Sequence, residues 1–195
     1  MKSRFTMMAV LAAFCLASCM KKEGAADSGM NAKADSMKMA FKGIAAAFDA
    51  GKGDDMDKYI SASFVDHNPM PMGKPGIEGM KNMATMMKVE FSDMKTNVED
   101  MRVDGDVLTA RFSVSGTNTG PMMMGAMPAT NKKMSGVTGI EMMRWENGKF
   151  VERWGVFDGM SMMMQLGMMP MPGAAPAGDM TKPMDDGKSG DKKKM

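Results

Sequence analysis

Gly139-Ile140-Glu141-Met142-Met143-Arg144-Trp145-Glu146-Asn147-Gly148-Lys149-Phe150-Val151-Glu152-Arg153-Trp154-Gly155-Val156-Phe157-Asp158 reads as strand, turn, strand. Asn147-Gly148 is the signature of a type I′ hairpin turn, because both residues tolerate positive φ. Alternate side chains of a strand share a face. On that rule Phe150, Trp154, Val156 and Asp158 are co-facial, an apolar row ending in one carboxylate beside a Trp. Burial there would raise the Asp158 pKa and suit it to acid–base work. An Asp at a strand end also caps a following helix, and Gly159 to Gly167 reads as a short helix.

Upstream the pattern is helical. Met37, Phe41, Ile44 and Phe48 fall on one helix face, with Asp35 or Ser36 as the cap and Gly51 as the stop. Asp54 or Asp55 starts a short second helix holding Met56, Tyr59 and Ile60, and Phe64 to Pro69 follows as an extended or turn segment. Pro75 opens a third helix with Ile77, Met80, Ala84 and Met87 in a stripe. The period then changes to two. Val98–Val103 and Val107–Ser115 are strands around a turn at Asp104-Gly105-Asp106, and Gly116 to Ser135 is a long loop. Helices first and an antiparallel meander afterwards make an α+β domain, and a curved sheet with helices across it would enclose a pocket.

The 195 residues divide into four parts. Lys2 and Arg4 precede an apolar run, Met7–Leu16, too short to span a bilayer. It ends in Leu16-Ala17-Ser18-Cys19, which resembles the lipobox of bacterial lipoproteins. That resemblance implies a signal peptide over residues 1–18, cleavage before Cys19 and lipid on Cys19. Residues 19–35 are the lipidated Cys and a flexible tether, 36–167 the folded domain, and 168–195 a low-complexity tail. The expected location is outside the cytoplasm on a membrane. Met20 after the Cys resembles outer-membrane sorting, with the domain facing the periplasm. Loss of Lys2 and Arg4 takes the formal charge from +2 to 0. Charge and basic-residue spacing give no nucleic-acid surface.

Five segments together carry a family resemblance. Asp66-His67-Asn68-Pro69, Gly116-Thr117-Asn118-Thr119-Gly120, Pro128-Ala129-Thr130-Asn131-Lys132, the Gly148–Trp154 run with Asp158, and Gln165-Leu166-Gly167 resemble the SnoaL-like polyketide (ester) cyclases. The resemblance implies a nuclear transport factor 2-like cone: N-terminal helices on a curved antiparallel sheet enclosing a pocket, with an exposed sheet face that can pair as a dimer. It also implies aldol-type cyclisation or isomerisation of a small apolar molecule, without metal or organic cofactor. Asp158 matches the family's acid–base residue and His67 its pocket His, while Asn118, Trp154 and Arg144 would shape the pocket and bind substrate. Asn118 and Pro121 depart from the His and Glu the family often carries, and Asn131 stands where Gly is usual.

His67 is the chain's single His, and Cys19 the single Cys after cleavage, so a zinc site of the usual His and Cys ligands is not available. The 33 methionines are the remaining anomaly. After cleavage only Leu108 and Leu166 are leucines, so Met is expected to fill the core. Thioethers are also soft ligands, and only Met122–Met127 and Met168–Met171 exceed what a core needs. Two alternatives therefore accompany the enzyme: a non-catalytic binder using the same pocket, and a Met-rich copper or redox protein.

Overall fold

The structure, a computed structural model, describes residues 29–70, 73–123 and 125–169. The expected signal peptide, Cys19 and most of the expected tail lie outside the described residues. Helix α1 runs through 29–50. It is already helical before the cap expected at Asp35 or Ser36, and part of the expected tether is helix. Ser36 does not cap; its hydroxyl donates back to the Ala32 carbonyl at 2.9 Å. The other end matches expectation. Gly51 adopts φ 68°, and the amides of Gly51 and Lys52 bond the carbonyls of Phe48 and Ala47. This pair of bonds is a Schellman stop, which glycine permits because it lacks a Cβ.

A 3₁₀ turn, Gly53–Lys58, replaces the expected short second helix. Ile60, assigned to that helix from the sequence, instead begins β1 (Ile60–Asp66). Helix α2 (Gly76–Glu90) follows Pro75 and buries Ile77, Met80 and Ala84. Strands β2 (Lys95–Asp104), β3 (Val107–Thr117), β4 (Lys133–Glu146) and β5 (Lys149–Phe157) lead into α3 (Gly159–Gln165). The sheet order is β1-β5-β4-β3-β2. The meander is antiparallel, but β1 joins its edge parallel to β5, so the sheet is mixed. Asn147 (φ 49°) and Gly148 (φ 82°) form the expected β4–β5 turn.

One sheet face is covered. Met37, Phe41, Ile44, Met80 and Ala84 of α1 and α2 pack on Leu108, Ala110, Met143 and Phe150. Methionine does fill much of this core: Met37, Met56 and Met143 are fully enclosed. A second cluster beneath the 118–132 loop and α3 joins Phe91, Met94, Val114, Met134 and Leu166.

Strict alternation fails in β5. Trp145 opposes Phe150, but Arg144 opposes Glu152. The extra residue, Val151, is a bulge, and it reverses which face each later side chain takes. Phe150 faces the covered side and meets Trp145 edge-on at 4.8 Å. Arg153, opposite Met143, also turns to that side. Trp154, Val156 and Asp158 therefore share the open face, without Phe150.

Arg153 meets carboxylates from both neighbouring strands. It donates to Asp66 at 3.0 and 2.9 Å and to Glu141 at 2.9 Å. All three side chains are nearly enclosed, with 11%, 6% and 12% exposure for Arg153, Asp66 and Glu141. Burial opposes the guanidinium charge, and Glu141 and Asp66 more than offset it, so the Arg153 pKa is raised. Removing one partner of such a cluster strands buried charge. Arg153→Ala is expected to cost about 3–5 kcal/mol in chemical denaturation; a loss within the ordinary surface range would contradict burial of the cluster. Gly139 gives a steric check. A Cβ there would lie 2.4 Å from the Phe112 ring, so Gly139→Ala is expected to lose about 1–3 kcal/mol by overpacking.

Candidate functional site

Three of the five residues singled out as the pocket meet, but on the open face and around a fourth. Glu152, missed in the sequence, accepts from Arg144 at 2.5 Å and lies 3.6 Å from His67 Nε2. His67 stacks on Trp154, with centroids 4.4 Å apart and planes 6° from parallel. The backbone explains the meeting. The His67 amide donates to the Arg153 carbonyl at 2.9 Å, and the Gly155 amide donates to Asn68 Oδ1 at 3.1 Å. The Asp66-His67-Asn68 run is thus stapled along β5, with Asp66 turned inward and His67 outward. The Arg144 hydrogen bond holds Glu152 below the usual carboxylate range, against its partial burial.

Asp158 lies further along the same face. Four residues of strand separate it from Trp154, roughly 13 Å, and no contact joins it to His67 among the described residues. The buried setting expected for Asp158 is not found: it is exposed. Its carboxylate accepts from the Ser161 amide at 2.9 Å and caps α3, the second role open to it. It also walls a hollow of about 320 Å³ with Thr138, Gly139, Ile140, Val156 and Phe157, and Arg111, ion-paired with Glu99 of β2, closes one side. The hollow is on the open face, because Arg111, Ile140 and Val156 are aligned across β3, β4 and β5 on the side away from the helices.

Asn118 does not reach either place. It is fully buried and organises the 118–132 loop. Its amide donates to the carbonyls of Glu90 and Gly120 at 3.1 and 2.8 Å, and its Oδ1 accepts from the Thr130 amide and hydroxyl. The Asn131 amide returns to the Asn118 carbonyl, with Asn131 at φ 55°, the left-handed conformation its residue type allows. Asn in place of a titratable His therefore serves as a loop pin.

Besides Glu152, two sets of functional groups escaped the sequence. The Glu141–Arg153–Asp66 cluster left one trace: Glu141 alternates with Met143 and Trp145, and an acid on an apolar row needs a partner. Arg111 left none. Among the described residues no group of three or more His, Cys, Asp or Glu side chains is arranged to hold a metal ion, and no helix is long and apolar enough to cross a membrane.

These elements, in this order, define a class. The family model for SnoaL-like polyketide cyclase matches residues 38–166, and the chain belongs to that family. Among solved structures it is similar to TsrD from Streptomyces laurentii, at 27% identity and a TM-score of 0.63, covering 69% of this chain and 97% of that one. It is also similar to IdmH from Streptomyces antibioticus, at 27% identity and a TM-score of 0.57, covering 67% and 98%. A third, from Bacillus cereus, shares 28% identity with a TM-score of 0.59 over 69% and 82%. No curated protein matches the chain. At family level the chemistry is cofactor-free cyclisation or isomerisation.

Glu90, next to the Asn118 pin, offers a pH test. Burial raises its pKa, only partly countered by the Met123 amide. A raised folded pKa means the folded state holds the proton more tightly. The penalty is therefore absent at low pH and develops as pH rises through the unfolded and then the folded pKa. Glu90→Gln is expected to melt above wild type at pH 7, with the gap closing below about pH 4. A constant gap across that range would contradict the sign.

Proposed function

We propose that this chain is a lipid-anchored, extracytoplasmic member of its family that performs acid–base chemistry on a small, flat, apolar carbonyl compound. The observation that carries the reading is the open face of β5. It bears an aromatic stack at one end, His67 on Trp154, and a carboxylate in a largely apolar hollow at the other. A substrate lying between them would cover Asp158 and supply the dryness that the free chain lacks. Asp158 then takes a proton from the carbon between two carbonyls. Arg111 donates to the oxygen that gains charge, and the enolate carbon either attacks a further carbonyl of the same molecule, whose oxygen takes the proton back from Asp158, or is itself reprotonated by Asp158. Arg144 and Glu152 hold His67 against Trp154, so their part is to position the stack. The lipobox-like Leu16-Ala17-Ser18-Cys19 supports anchoring through Cys19, on the periplasmic side of an outer membrane.

The cap bond from Ser161 to Asp158 favours a second reading, a binder without turnover, because that oxygen is already engaged. Deuterium uptake at C2 of ethyl 2-methylacetoacetate in D₂O, followed by NMR, separates the two. Wild type is expected to accelerate exchange, and Asp158→Asn, which still caps a helix, is expected to lose about 10²–10⁴-fold. Saturable binding with no exchange above buffer would overturn turnover and leave the binder. Anchoring has its own check: labelled palmitate should enter the wild-type chain in a lipoprotein-competent bacterial host and not Cys19→Ser. Equal labelling of both would remove the anchor.

A further inference from the structure

Glu90 is the last residue of α2, is 92% enclosed at 8% exposure, and pairs with no cation among the described residues. Its Oε1 accepts only the Met123 amide, at 3.2 Å. A carboxylate is disfavoured at a helix C-terminus, where the helix dipole is negative. A buried charge in that position calls for a compensating cation. The material beside it is unusual. Met122 and Met127 exchange both backbone hydrogen bonds, 2.8 and 3.1 Å, in an isolated antiparallel bridge. Directly opposed residues project to the same side, so both side chains leave the bridge toward the same cluster. Met122 is buried, while Met127, Met162 and Met168 pack at the partly exposed rim of the same cluster. These side chains come from the loop, from α3 and from the turn after it. Core filling accounts for Met94 and Met134, which are enclosed. It accounts less well for rim positions that water still reaches, where an apolar side chain gains less by burial.

We propose that this end of the molecule binds one soft monovalent metal ion, Cu(I), on the thioethers of Met122, Met127, Met162 and Met168, with the Glu90 carboxylate as counter-charge. Thioethers select Cu(I) over harder ions, and no imidazole or thiolate is needed. One positive ion beside one buried carboxylate leaves the cluster neutral. Glu90 acts by charge rather than as a required ligand, and a proton is its alternative partner. The site is separate from the hollow at Asp158 and does not depend on the acid–base reading.

The mature full-length chain, ¹³C-labelled at the methionine methyls, is titrated with Ag(I), a redox-inert stand-in, and then with Cu(I) under reducing, anaerobic conditions against a chromophoric chelator. One equivalent is expected to shift the methyls of Met122, Met127, Met162 and Met168, and to be retained against the chelator. Replacing those four by Leu is expected to abolish the stoichiometric site. Glu90→Gln is expected to weaken it about tenfold at pH 7. Converting Met30, Met39 and Met142 to Leu should leave it unchanged. If the Leu variant does not fold, the methyl shifts of the wild-type chain decide alone. The proposal fails if the first equivalent spreads over exposed methionines such as Met30, Met39 and Met160, if it shifts only methionines beyond residue 169, if uptake survives the four Leu changes, or if no stoichiometric ion is held.

Discussion

A single extra residue in β5 decides what this molecule presents to whom. Val151 breaks the pairing with β4, and every later side chain in the strand changes face. Arg153 is driven under the helices and must find counter-charge there. Asp66 supplies it from β1 and Glu141 from β4. The cluster ties three strands together, including the parallel edge strand whose register is otherwise irregular. The same reversal turns Trp154, Val156 and Asp158 outward. The buried ion cluster and the exposed aromatic–acid row are thus two sides of one bulge.

That arrangement makes the covered side a packed interior. Leu108, Ala110, Met143 and Phe150 are fully enclosed, and much of the filling is methionine. An unbranched thioether chain adapts to irregular space, so a chain nearly without leucine can still close its core. On the proposed reading an apolar substrate uses the open face, where burial comes from the substrate itself. Methionines at the loop end are a different matter, since Met127, Met162 and Met168 are only partly buried, and the nearby Glu90 carboxylate, which accepts from the Met123 amide, has no ionic partner among the described residues.

Much of this was legible in the residues. The Asn147-Gly148 turn, the β2–β3 hairpin, the α2 stripe and the Gly51 stop follow from local rules that operate within a few positions, and each appears as expected. The order of the short motifs was enough to point to the family that the match over residues 38–166 establishes. What could not be read depends on distant partners. A bulge is a mismatch between two strands, so alternation within β5 alone places Phe150 and Asp158 on one face. The pairing of Ile60–Asp66 with β5 is non-local, and Phe64 to Pro69 taken alone is merely extended. Asp158 satisfies two local rules at once, cap and acid; the cap is realised, and the acid role rests on the proposal above. Asn118 looked like a polar pocket residue, and its role as a loop pin depends on Glu90 and Thr130, 28 and 12 residues away.

The face that receives ligand is the direct test of this account. Amide and methyl NMR shifts during titration with a flat β-dicarbonyl compound would locate it. The open-face reading predicts that perturbations gather at Ile140, Trp154, Val156 and Phe157, with the covered face silent. Shifts concentrated at Leu108, Ala110, Met143 and Phe150 instead would place the ligand under the helices and contradict it.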